Sequence, residues 1–74
     1  MTTLNFLKKS QKGKILSINI DNVPLKLIEM GCLPGNIVEV LQIAPLLDPI
    51  YIKVNDSFLS IRKDLAKEIE VELI

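Results

Sequence analysis

The side chains that could do chemistry in this sequence are few. There is no histidine and only one cysteine, Cys32, so the commonest general base and the commonest metal ligand are missing. A structural zinc site takes four Cys or His ligands, which one thiol does not supply. Without histidine, no nucleophile–base pair can be assembled unless a lysine or a carboxylate acts alone. We therefore expect no catalytic residues, no metal ligands and no cofactor.

Asp48 and Cys32 each allow a specific interpretation. Asp48 lies between Leu47 and Pro49, where its carboxylate could present a charge to a partner or contribute weakly to a metal site. The alternative is an Asx turn before the proline, with the carboxylate accepting hydrogen bonds from N–H groups of the loop. For Cys32 we expect a buried and inert position at the end of a helix.

The charge balance argues against several classes of function. Nine basic and nine acidic residues cancel, whereas a nucleic-acid-binding protein normally shows a basic excess on one face. The three glycines are isolated, so no phosphate-binding loop is present. Apolar runs are far shorter than the roughly 20 residues that span a bilayer, and no signal peptide is recognisable. A single cysteine also fits a reducing compartment, so we expect a cytoplasmic location.

The elements that position these residues are short strands. Apolar residues alternate with a period of two in the segments 13–20, 37–43, 50–54, 57–62 and 69–73, which predicts five strands. Residues 1–10 read as a lead-in, with Thr2 and Thr3 frayed. Five short strands with apolar faces close most economically into a small barrel. The predicted core consists of Ile18, Leu27, Met30, Val38, Val40, Ile52, Val54, Leu59, Ile61, Ile69 and Val71.

A short helix is predicted between the first two strands. Residues 21–24 contain Asp and Asn, which could cap its first turn, and Pro24, which is tolerated there. Gly31 then falls where a left-handed residue ends a helix, with Leu27 and Cys32 as the contacting pair of a Schellman motif. Residues 33–36 fit a type II turn.

The segment 45–49 is the most informative loop. It carries Leu46 and Leu47 between two prolines, and both leucines cannot point into the barrel while the chain turns. At least one should be exposed on a loop that two fixed φ angles already stiffen, as a partner-binding anchor would be. The alternative is that both leucines lie flat over the barrel end as a lid.

These features together resemble one family, ferrous-iron transport protein A (FeoA). The specific motifs are Met-Gly-x-x-Pro-Gly at 30–35 and Ala-Pro-x-x-Asp-Pro at 44–49. The resemblance extends over nearly the whole chain through Leu4, Leu7, Gly13, Ile15, 26–31, Val38, Val40, 59–63, Ala66, Ile69 and Val71. It implies a mainly β fold, a small SH3-like five-stranded barrel with a short helical insertion, formed by residues 1–74 as a single domain.

The resemblance also implies a function. It identifies a small cytosolic accessory protein of bacterial ferrous-iron uptake that acts by protein–protein contact with the permease FeoB and its GTP-binding domain. We expect the partner-binding residues to be Leu46, Leu47, Asp48, Lys26 and Met30. We expect no enzymatic activity, no nucleic acid and no membrane insertion, with self-association left open.

Three positions depart from the family pattern. Lys26 stands where the family usually has Arg, so a bidentate hydrogen bond would be lost. Leu47 stands where Gly is usual, and a branched residue would be strained if that position needs a positive φ. The family often has Gly near Ser10.

Two other functions remain open from the residues. The same barrel occurs as the C-terminal regulatory domain of metal-dependent regulators of the diphtheria-toxin-repressor type. We expect the first role instead, because the sequence begins at Met1 and shows no DNA-binding half. A weak metal-binding protein is the third possibility, disfavoured by the shortage of ligands.

Overall fold

The sheet dominates the fold. The computed structural model describes residues 1–74, and its six strands form one antiparallel sheet in the order β1-β6-β2-β3-β4-β5. The elements in chain order are β1 (Thr2–Thr3), a 3₁₀ helix (Leu4–Phe6), β2 (Lys12–Ile18), α1 (Leu25–Glu29), β3 (Ile37–Ile43), β4 (Ile50–Val54), β5 (Ser57–Ile61), α2 (Lys63–Ala66) and β6 (Ile69–Leu73). The mainly β prediction is confirmed, and neither helix is long or apolar enough to cross a membrane.

The number of strands differs from the five predicted. Thr2 and Thr3, expected to be frayed, pair with Val71 and Glu70 and form the sixth strand. The 3₁₀ helix that follows buries Leu4, and Leu7 directly after it is buried too. In a 3₁₀ turn, residues three apart lie on the same side, which is why these two leucines reach the core together and hold the lead-in against the sheet.

The core is one cluster of 15 buried apolar residues. Most of the predicted core residues belong to it, but Ile18, Met30 and Leu59 are only half-buried. Leu59 lies on an outer strand and Met30 at the end of α1, so each has less protein around it. The members of the cluster are Leu4, Leu7, Ile15, Val23, Leu27, Cys32, Val38, Val40, Ile50, Ile52, Val54, Ile61, Ala66, Ile69 and Val71.

A β-bulge explains the error in the first predicted strand. Ile15 pairs with Val71 and Ser17 with Glu70, so Leu16 is an extra residue in β2. One extra residue reverses which side chains face the core. Ile15 before the bulge and Ile18 after it therefore both face the core although they are three residues apart, and the buried Ile15 is missing from the predicted core.

The start of α1 also differs from the prediction. The helix begins at Leu25, and no side chain caps its first turn. The Asn19 carbonyl accepts hydrogen bonds from the N–H groups of Asn22 and Val23. The Asn22 side chain donates to the carboxylate of Glu68, the residue directly before β6. Residues 21–24 therefore form a separate turn before the helix.

The end of α1 is as predicted. Gly31 has a φ of 114°, the Cys32 N–H donates to the Leu27 carbonyl at 3.0 Å, and the Gly31 N–H donates to the Ile28 carbonyl at 3.1 Å. These are the two hydrogen bonds of a Schellman motif. The turn at 33–36 closes with a bond from the Asn36 N–H to the Leu33 carbonyl at 3.1 Å, and Gly35 at its third position has the positive φ, 97°, that a type II turn requires.

Candidate functional site

The β3–β4 loop, residues 44–49, presents an apolar tip to solvent. Leu46 is 89% exposed and Leu47 is 59% exposed. The expectation that at least one leucine is exposed is confirmed, and the lid arrangement is not formed. These two adjacent aliphatic side chains offer a partner a small apolar contact surface.

The backbone of this loop is held by its own hydrogen bonds. The Leu47 N–H donates to the Ala44 carbonyl at 2.7 Å, and the Ala44 N–H donates to the Pro49 carbonyl at 3.0 Å. Leu47 has a φ of 69°, the left-handed conformation that a residue with a side chain adopts only at a cost. The backbone strain expected for a leucine where the family usually has glycine is therefore present, because this position has a positive φ.

Asp48 fixes the loop to the rest of the molecule. Its Oδ1 atom accepts a hydrogen bond from the Lys63 N–H at 2.9 Å, and its Oδ2 atom lies 3.9 Å from the exposed Arg62 guanidinium. The predicted Asx turn, with the carboxylate bonded to N–H groups of its own loop, is wrong. The carboxylate instead occupies the start of α2, where a first-turn N–H has no partner within the helix.

The remaining predicted residues lie elsewhere. Lys26 is exposed on α1 and Met30 is half-buried at its end. A Cβ built on the adjacent Gly31 would lie 2.5 Å from the Asn55 amide nitrogen and 3.7 Å from a Val54 methyl, so this end of the helix packs at the β4–β5 turn.

The predicted residues therefore form two groups. The β3–β4 loop precedes β4, whereas the end of α1 packs where β4 ends. Because β4 has five residues and a strand rises about 3.3 Å per residue, its two ends are roughly 13 Å apart. The structure brings Leu46, Leu47 and Asp48 together and keeps Lys26 and Met30 apart from them.

The carboxylate and thiol side chains do not gather in one place. No three His, Cys, Asp or Glu side chains come together. Cys32 is buried, and that burial raises the pKa of its thiol, so the reactive thiolate is disfavoured.

The outer face of the sheet carries a feature that the sequence analysis did not identify. Cross-strand pairs place Lys12, Glu39, Lys53 and Phe58 in one row across β2, β3, β4 and β5. The Lys53 ammonium lies 5.7 Å from the centre of the Phe58 ring, and Phe58 is 68% exposed. Period-two alternation could have placed each side chain outward, but the row depends on registers between strands, which one sequence does not contain.

Comparison with known proteins identifies a matching family and a curated relative. The model of the FeoA domain family matches residues 2–73. A curated relative from Porphyromonas gingivalis, a fusion of Fe(2+) transport protein A with the Fe(2+) transporter FeoB, is 45% identical over 49 residues. That alignment covers 66% of this chain and 6% of the fusion protein, so the chain corresponds to a small part of that relative.

Solved structures agree with the fold. Iron(II) transport protein A from Clostridium thermocellum is 34% identical, with a TM-score of 0.86 over 99% of this chain and 46% of that one. FeoA from Stenotrophomonas maltophilia, an SH3 domain protein solved in complex with zinc, is 22% identical, with a TM-score of 0.83 over 97% and 91% of the two chains. IdeR from T. acidophilum is 20% identical, with a TM-score of 0.83 over 99% and 34%. The last two show the fold alone, and the SH3-like prediction is confirmed.

Proposed function

Because the chain belongs to the FeoA domain family, we propose that it is an accessory protein of ferrous-iron uptake that binds the cytosolic side of the permease FeoB through the β3–β4 loop. Residues 1–74 act in this proposal as one domain in the cytoplasm, and the GTP-binding domain of the permease is the surface that receives the loop. The iron itself is the cargo of the permease and is not held by this chain.

The exposed loop tip is the observation that carries this proposal. Leu46 and Leu47 offer apolar surface to a partner, and burying one leucine side chain stabilises a complex by about 1.5–3 kcal/mol before the costs of association. The loop is ordered beforehand by two prolines, its own hydrogen bonds and the Asp48 carboxylate. Binding therefore loses little conformational entropy.

The arrangement of the curated relative supports the choice of partner. In the Porphyromonas gingivalis protein, the A protein and FeoB are parts of one chain. Joining two partners raises their effective concentration toward each other to roughly the millimolar range. Such a fusion is useful where the two parts work in contact.

We propose that the chain has no enzymatic activity of its own. The family is a small transport-associated domain, and the sequence lacks the histidine that most often serves as a general base. Its effect on the permease is then exerted through binding. The isolated chain should hydrolyse GTP no faster than buffer.

A regulatory module of a metal-dependent transcription factor is the other candidate. The likeness to IdeR is a likeness of fold at 20% identity, and no residue of the site favours that function. The family match favours the transport role.

A capture experiment tests the proposal. The immobilised cytosolic domain of the co-encoded permease should retain the parent chain, whereas Leu46→Ser should reduce the retained amount by about tenfold or more, since a buried leucine is worth at least 1.4 kcal/mol. Ile20→Ser is the matched control, because Ile20 is 69% exposed but lies outside the loop. Equal retention of the parent and Leu46→Ser would refute the loop as the contact surface.

A further inference from the structure

The free edge of β5 is a second surface capable of recognition. β5 is an outer strand, and β4 is its only neighbour in the sheet. The two-residue turn at Asn55 and Asp56 makes Val54 and Ser57 the closing pair, which exchanges hydrogen bonds. Since bonded and non-bonded pairs alternate along an antiparallel ladder, Phe58 and Ser60 direct their N–H and C=O groups away from β4.

These outward groups have no partner elsewhere in the chain. None of the backbone hydrogen bonds outside the regular elements involves β5. Proteins normally protect such an edge with charges, a proline, a bulge or a very short strand. β5 has none of these, because its five residues are uncharged and its pairing with β4 is regular. By contrast, the strand at the other edge, β1, has only two residues.

We propose that β5 pairs with β5 of a second copy of this chain, antiparallel about a two-fold axis at Leu59. In this register Phe58 lies opposite Ser60 of the second copy, and Ser60 lies opposite Phe58. Each of these two pairs exchanges two backbone hydrogen bonds. Because both copies use the same surface, the assembly closes as a dimer.

Charge complementarity selects the second copy and this register. Pairing about Leu59 sets Arg62 opposite Asp56 of the second copy, and the symmetry repeats this ion pair at the other end of the strand. Both side chains are exposed in the single chain. Moving the register by two residues in either direction keeps the backbone bonds possible but separates Arg62 from Asp56.

The side chains on the outer face fit the same arrangement. Tyr51, which is 41% exposed, lies opposite Ser60 within the sheet of one copy. Phe58 of the second copy approaches Ser60 from the other side. A small serine between two aromatic rings lets both rings cover the new strand pair, and aromatic neighbours across strands stabilise pairing.

Molar mass in solution tests the dimer. Light scattering during gel filtration, over a range of concentrations, should give about twice the 8.3 kDa of one chain. Ser60→Pro removes an outward N–H that β4 does not use, and proline is tolerated on an outer strand. Two of the four central bonds are lost, so self-association should weaken by more than about tenfold. Ile20→Ser, at an exposed residue outside β5 and its flanking charges, should leave the dimer unchanged.

If the proline variant does not fold, exchanging the charges at Asp56 and Arg62 provides a second test of the dimer. Asp56→Arg alone and Arg62→Asp alone should each weaken the dimer, and the double variant should restore it. A parent chain that stays at 8.3 kDa, a folded Ser60→Pro variant that remains a dimer, or a double variant no better than the singles would overturn the proposal. A monomeric parent whose Ser60→Pro variant fails to bind the permease would also overturn it and assign the edge to that partner.

Discussion

At the residue scale, the backbone at Leu47 is strained in the conformation that the loop adopts. A left-handed conformation costs a residue with a side chain about 1–2 kcal/mol, and Leu47 has a φ of 69°. Leu47→Gly should raise the free energy of unfolding by about 0.5–1 kcal/mol, since the relief of strain exceeds the greater chain entropy of glycine. Chemical denaturation monitored by circular dichroism measures this change.

Leu47→Ala is the control for that gain. Alanine also removes most of the exposed side chain but retains the Cβ that causes the strain, so its stability should stay close to that of the parent. If Leu47→Gly is instead less stable than the parent, the leucine side chain contributes packing and the strain argument fails.

Asp48 has a structural role that its neighbours in the sequence did not reveal. Its carboxylate accepts the Lys63 N–H, so Asp48→Ala should lower the free energy of unfolding by about 1 kcal/mol, as the loss of a helix cap does. Asp48→Asn keeps an oxygen acceptor and should lose less than half of that amount. The exposed Arg62 pair contributes little, so an equally large loss in both variants would show that the charge matters more than the hydrogen bond.

At the element scale, the local signals in the sequence predicted structure well. Gly31 and the turn at 33–36 follow from rules that involve a few adjacent residues, and both are confirmed. The predicted core lacked Ile15 because the bulge at Leu16, which breaks the alternation in β2, arises from pairing with β6, more than fifty residues away in the chain. The helix start was wrong because the Asn22 side chain bonds to Glu68, a similarly distant contact.

The end of α1 offers a matched pair of glycines. Gly31 and Gly35 both have positive φ values, but a Cβ on Gly31 would lie 2.5 Å from the Asn55 amide nitrogen, whereas a Cβ on Gly35 would meet nothing within 4 Å. Gly35→Ala should therefore lower the free energy of unfolding by about 1 kcal/mol from backbone strain alone.

Gly31→Ala should be more destabilising by a further 1 kcal/mol or so, because the added methyl displaces Asn55. Urea denaturation of the two variants measures the difference. Equal losses would mean that Asn55 moves aside at no cost and that the helix end is not fixed against the β4–β5 turn.

At the scale of the whole molecule, the family resemblance predicted the fold and the exposed β3–β4 loop. It did not predict which of the partner-binding residues lie together on one surface. The predicted partner residues divide between the two ends of β4, because registers between strands decide which distant residues meet. The β3–β4 loop and the edge of β5 adjoin at Arg62, whose guanidinium lies 3.9 Å from the Asp48 carboxylate.

In the proposed function, Leu46 and Leu47 contact the permease while Asp48 holds them in place. Calorimetric titration of the permease's cytosolic domain with the parent chain, Leu46→Ser and Ile20→Ser tests this contact. The melting temperature of each variant is measured alongside, so that a loss of affinity can be told from a loss of stability. We predict that Leu46→Ser binds about tenfold or more weakly with an unchanged melting temperature, and that Ile20→Ser binds like the parent. A Leu46→Ser variant that binds with parental affinity, or that loses affinity only together with its stability, would contradict the account.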